Sequence, residues 1–179
     1  MNALSTRDLV NLVRSAFPRF ETDKRVAVLV DIPRDPASDN AAWKTRRAMA
    51  ADWVEALNAG RADIPIVGAA LIAYLDVGSN NADLPATGYM VEGPLPDSAW
   101  DLAVVGQAVP FDAVFRNYQI LLAPTEFSTT APLKNAAKIH GFRAATMPGF
   151  AASMIPALRV DYSEVGRRCR ILKTLLDES

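Results

Sequence analysis

The chain has 179 residues, with 19 Lys plus Arg against 20 Asp plus Glu, one His and one Cys. Its length fits one domain burying roughly 70% of its unfolded surface, and a composition 50% hydrophobic and 22% charged excludes a disordered chain. A net charge of −1 supplies no field to draw in nucleic acid or an anionic membrane, so neither is an expected partner.

The first predicted element is a helix from Ser5 to Phe17, with Leu9, Leu12, Val13, Ala16 and Phe17 on one face. Ser5 and Asp8 form a capping box, and Pro18 ends the helix. Arg25 to Ile32 (RVAVLVDI) is an almost continuous β-branched run, the pattern of a strand buried on both faces. The loop Pro33 to Asn40 leads into a long helix with Ser38, Asp39 or Asn40 as N-cap and Gly60 just past its end. Trp43, Ala50, Trp53, Val54 and Leu57 make its apolar stripe, and Lys44, Arg46 and Arg47 read as a solvated face. Ile66 to Val77 is the next strand, which completes a parallel crossover unit expected to be right-handed.

Val77 to Tyr118 holds four of the twelve prolines and four of the nine glycines, and reads as an irregular covering segment. Within it a strand is expected near Leu102 to Val105 and a short helix near Phe111 to Asn117. The crossover pattern then returns: strand Gln119 to Ala123, helix Leu133 to His140 with Thr130 as cap and Pro132 in its first turn, strand Arg143 to Met147. The fold class is therefore α/β, an open, mostly parallel sheet of about four or five strands with helices on both faces.

Asp161 to Glu178 closes the chain as an amphipathic helix. Leu158, Tyr162, Val165, Cys169, Leu172 and Leu176 recur at alternating intervals of four and three, which aligns them in one seam. No Gly or Pro stops the helix between Leu175 and Ser179. The seam is expected to dock on the domain core, with a connector to a further domain as the other reading.

Few residues here can do chemistry. A single cysteine cannot make an internal disulfide, and one histidine with one cysteine excludes a zinc finger or a zincin. The longest apolar stretch, Ile64 to Leu75, is too short to span a bilayer, and Met1 to Arg7 has no signal pattern, so a cytoplasmic location is expected. Neither GxGxxG, GxxxxGK[ST] nor GxSxG occurs. His140, before Gly141, reads as a helix-end cap, and Cys169 as a buried small hydrophobe.

In an open α/β sheet, ligands bind beyond the carboxyl ends of the strands. Those ends carry Asp31, the hydroxyl-rich run Thr125, Ser128, Thr129 and Thr130, and Thr146, which together are the ligand-binding candidates for a peptide or small molecule. The competing reading is that the hydroxyls cap the next helix and satisfy its turn.

Arg25-Val26-Ala27-Val28-Leu29, then Thr125 to Thr130, then Arg143-Ala144-Ala145-Thr146-Met147-Pro148-Gly149, then Asp161-Tyr162 opening a helix that reaches Leu175-Leu176, form a familiar combination. It resembles the N-terminal domain of the thermophilic metalloaminopeptidases, the aminopeptidase T and aminopeptidase S group of leucyl aminopeptidase-like hydrolases. The iron-dependent dihydroxypyridine ring-cleaving dioxygenases are similar in this region. The resemblance implies a two-domain plan in which Glu, His, Tyr and Asp ligands hold divalent metal in a C-terminal domain. It therefore implies no cofactor, no metal ligand and no catalytic residue within these 179 residues. Ala131 and Pro132 stand where relatives often carry His and Thr. The expected role is a scaffold that shapes the substrate cleft, packs on a C-terminal catalytic domain and supports homo-oligomers. The alternative is a stand-alone binding or interaction domain without the catalytic half.

Overall fold

A computed structural model describes residues 4–17 and 22–178; the expected helix stop at Pro18 lies outside them. Helix α1 (Thr6–Ala16) opens with the capping box, Ser5 Oγ accepting from Asp8 N while Asp8 accepts from Ser5 N. Strand β1 (Arg25–Ile32) is buried at every position after Arg25, as its β-branched sequence requires. Helix α2 (Ala41–Ala59) is capped by Asn40, whose side chain accepts from Trp43 N at 2.9 Å, and stops at Gly60. Strand β2 (Gly68–Leu75) follows and pairs with β1 in parallel, Leu29 opposite Ile72.

The segment from 77 to 118 is not irregular. It contains strand β3 (Thr87–Val91), helix α3 (Ala99–Val105), strand β4 (Gln107–Pro110) and helix α4 (Phe111–Asn117). Only the last matches the sequence expectation. The strand expected near Leu102 to Val105 is the end of α3, because Ser98 caps that helix, accepting from Asp101 N at 3.1 Å, and draws the Ala-Val-Val run into helical geometry. Then come β5 (Ile120–Ala123), α5 (Thr130–His140), β6 (Arg143–Thr146), the single turn α6 (Ile155–Leu158) and α7 (Tyr162–Asp177).

The sheet has six strands in the order β4-β3-β2-β1-β5-β6. β1, β2, β5 and β6 are parallel, and β3 and β4 add an antiparallel edge beside β2. Successive β1 residues face opposite ways: Val26, Val28, Val30 and Ile32 join α1 and α2 in one core, while Ala27 and Leu29 join α4 and α5 in the other. Thus the sheet is larger and more mixed than expected, and the α/β class with helices on both faces holds. No helix among the described residues is long and apolar enough to cross a membrane.

Two expectations about helix faces fail. Arg46 and Arg47 are buried, not solvated, because they lie three and four residues from Trp43 and from Ala50 and so share the inward stripe of α2. The α7 seam does not dock. Leu158 packs against the core, but Val165 is 41% exposed, Leu172 58% and Leu176 67%. Cys169 is exposed with them, and the Tyr162 side chain lies outside what is described. Before α7 begins, Arg159 grips Asp8 of α1 at 2.9 Å, and no described side chain of α7 joins either core.

Gly106 shows how tightly the antiparallel edge is built. A Cβ there would stand 2.8 Å from the Leu102 carbonyl oxygen and 2.8 Å from Tyr89 Cβ, where α3 turns into β4. Gly106→Ala is predicted to lower stability by about 1–3 kcal/mol, read as a reduced midpoint in urea with an unchanged slope.

Candidate functional site

In the strand order, β1 sends its chain to α2 on one face while its neighbour β5 sends its chain to α5 on the other. The crevice between the carboxyl ends of β1 and β5 is therefore the topological switch point where a ligand would be sought. Here the chain's own groups fill it. Asp31, fully buried at the end of β1, accepts from Glu126 N at 2.8 Å and Phe127 N at 3.1 Å. The Trp43 indole N–H reaches both the Asp31 carbonyl (2.9 Å) and its carboxylate (3.1 Å). Arg46 pairs with the Glu126 carboxylate and donates from Nε to the Phe150 carbonyl at 2.9 Å. Trp43 meets Phe127 edge to face, with ring centroids 6.1 Å apart.

Burial pushes the Asp31 carboxyl up to about 6, against the opposing pull of the Glu126, Phe127 and Trp43 donors. Burial likewise raises the Tyr74 phenol well above its ordinary value, with the Asp31 charge adding to it. Thr125 lies near enough to act on that phenol, yet no acceptor meets hydrogen-bond geometry with it among the described residues. The Thr125 hydroxyl itself donates to the Phe127 carbonyl at 2.6 Å.

The other four candidates divide. Ser128 Oγ lies 3.1 Å from Thr130 Oγ1, and Thr130 Oγ1 lies 2.8 Å from Thr146 Oγ1, giving a short chain of surface hydroxyls. Thr129 is fully buried away from solvent, and its hydroxyl has no partner among the described residues. Thr130 is the first residue of α5, not its cap; the cap position is Thr129, without a side-chain bond.

Sequence reasoning missed two asparagines and an aspartate. Asn80 Oδ1 accepts from Ser128 N at 2.7 Å, and Asn81 Oδ1 accepts from Ala131 N at 3.0 Å and from Ser128 Oγ at 3.1 Å. Asn81 adopts a left-handed backbone (φ 62°), which Asn tolerates, and its own N–H donates to the Ser128 carbonyl at 2.7 Å. The donors at the α5 N-terminus that would hold an anion are thus already engaged. Asp76, two residues before Gly78, accepts from Arg34 N and Gly78 N and ties the ends of β1 and β2 together. The Ser-Asn-Asn run and the Asp-x-Gly spacing are turn signals that could have pointed to all three.

His140 does not cap α5. Gly141 closes that helix with φ 78°, while the imidazole Nε2 lies 3.5 Å from Asp112 and packs on Phe115. It is a strut between α4 and α5, and no serine hydroxyl joins it among the described residues. No cluster of three or more His, Cys, Asp or Glu side chains suited to a metal ion occurs there either.

A groove of about 800 Å³ lies elsewhere, along α2 and over β2 and β3. Ala51, Val54, Leu71 and Val91 line it with apolar groups. Asp52, Glu55 and Glu92 stand in it without an ion pair among the described residues. No protein-family model matches the chain, and neither a curated protein nor a solved structure is detectably similar to it.

The Asp31 carboxyl makes stability pH-dependent. Its folded value near 6 lies above the unfolded value of about 3.9, so between those values the folded chain holds the extra proton. Unfolding free energy from this group therefore falls as pH rises from about 4 to about 6, by about 3 kcal/mol in all. Carboxyl NMR of Asp31 should titrate in that range, and Asp31→Asn should flatten the slope. A midpoint at the ordinary carboxylate value would contradict this.

Proposed function

We propose that this chain is an α/β scaffold that performs no reaction with its own residues and docks another protein surface through α7. The observation that carries this reading is the exposed seam. Val165, Leu172 and Leu176 sit on one face of a 16-residue helix and stay 41–67% exposed, while the body of the domain has two cores of its own. An amphipathic helix with an unburied apolar stripe matches the helix-in-groove mode of protein recognition. The sealed switch point supports the same reading, because Asp31, Glu126, Arg46 and Trp43 occupy the place where a small ligand would enter.

The aminopeptidase resemblance gives the docked surface one form. In that reading α7 packs on a metal-bearing catalytic domain, the α/β body shapes the substrate cleft, and hydrolysis uses metal-activated water held by the other domain. A stand-alone interaction domain would use the same seam.

Two measurements test the proposal. Titration with Zn²⁺ or Co²⁺ should give no stoichiometric site, and the purified chain should leave leucyl anilides uncut. Val165→Asp, assayed in dilute solution, should unfold within about 0.5 kcal/mol of the parent, as exposed substitutions do. A loss of several kcal/mol would mean that the seam is buried within its own chain, and would overturn the assignment of α7.

A further inference from the structure

The reading of α7 as a docking helix leaves its partner open, and the groove beside α2 supplies one. We propose that the α7 seam of one chain seats in the α2–β3 groove of a second copy, and that the exchange is reciprocal. This inference rests on the docking assignment made above.

Length comes first. The groove is lined by α2 from Lys44 to Asn58, a run of about 21 Å at 1.5 Å per residue. The seam from Val165 to Leu176 needs about 16 Å of it. On this face of the sheet α2 covers β1 and β2 and Leu102 of α3 joins the same core, so Leu71 and Val91 at the groove floor are buried. A helix laid beside α2 would meet Ala51 and Val54 on the groove wall.

Charge decides between candidate occupants. α7 carries four cations and two carboxylates, a net excess of positive charge, and Arg168 and Lys173, each adjacent to a seam residue, are ion-paired with Glu164 and Asp177. Pairing α7 with a parallel copy of itself would bring these two positions face to face across the seam, where like charges repel. The groove offers the opposite sign in Asp52, Glu55 and Glu92. Lys44, Arg47 and Asp97 also line it, so the groove holds four carboxylates against two cations, and Asp39 holds the Arg47 guanidinium at 2.8 and 3.0 Å and lies 3.7 Å from Lys44. Each copy has both a seam and a groove, so a reciprocal pair of insertions makes a two-fold dimer, whereas one-way insertion would build an open chain.

Sedimentation of the whole chain should give twice the 19.4 kDa mass at high micromolar concentration. Glu55→Arg with Glu92→Arg, or Arg168→Glu with Lys173→Glu, should weaken the dimer about tenfold or more. Combining both reversals in one chain should restore it. Cys169, the single cysteine, lies in the middle of the seam, and Ala51 in the middle of the groove. Mild oxidation of Ala51→Cys should therefore link Cys169 of one chain to position 51 of the other. A Cys169–Cys169 link in the parent chain would replace the groove by helix pairing, and a link within one chain would replace it by self-docking. Either result overturns the proposal, as does a monomer at every concentration. A monomer whose Val165→Asp variant keeps its stability would overturn the second copy alone and leave the docking role of α7 standing.

Discussion

A carboxylate without a counter-ion, buried at the end of the central strand, organises the rest of this molecule. Asp31 costs the fold about 3 kcal/mol at neutral pH, judged from a carboxyl raised to about 6. Yet three N–H groups converge on it, from Glu126, Phe127 and Trp43. Without this carboxylate the Glu126 and Phe127 N–H groups would lose their side-chain acceptor, at about 1–3 kcal/mol for each one left unsatisfied, whereas the Trp43 indole would keep the Asp31 carbonyl. The result is a joint between β1, the first turn of α2 and the β5–α5 loop. Glu126, fixed by its backbone to Asp31, is then placed to meet Arg46, and Arg46 extends the joint to the Phe150 carbonyl. One residue at a strand end thus closes the crevice that the sheet topology opens.

That joint explains why the strand-end candidates do not form one site. Asp31 and Thr125 turn inward and serve the backbone, whereas Ser128, Thr130 and Thr146 remain at the surface. The α5 N-terminus between them is supplied by Asn80 and Asn81 from the loop after β2. Two loops far apart in sequence thus hydrogen-bond to each other across the rim.

The parallel half of the fold was legible because its signals are local. RVAVLVDI specifies a two-face-buried strand, Asn40 and Gly60 bracket α2, and Gly141 ends α5. The antiparallel edge was not, since β3 and β4 have five and four residues and only partial burial, too short for either period to declare itself. For α3 the signal was present: Ser98 with Asp101 marks a helix start and outranks the β-branched pair that follows. Arg46 and Arg47 were misplaced for a different reason. Their spacing from Trp43 puts them on the apolar stripe, but their charge suggested solvent, and the carboxylates that make burial tolerable, Glu126 and Asp39, come from other segments. Partners of that kind are a property of the fold and have no local sequence signature.

Helix α7 presents the complementary case, a pattern that was readable and a cover that was not. Periodicity identifies an apolar seam but carries no information about which surface meets it. A helix of 16 residues is marginal in water on its own. This one is held by the Asp161 cap, by Glu164 shared between Arg167 and Arg168, and by the Lys173–Asp177 pair, exposed contacts that water and salt screen. Burying two leucines and a valine is worth about 1.5–3 kcal/mol per side chain. The dominant stabilisation available to α7 therefore lies in whatever surface covers its seam, and the groove beside α2 is long enough for that seam and opposite to α7 in net charge.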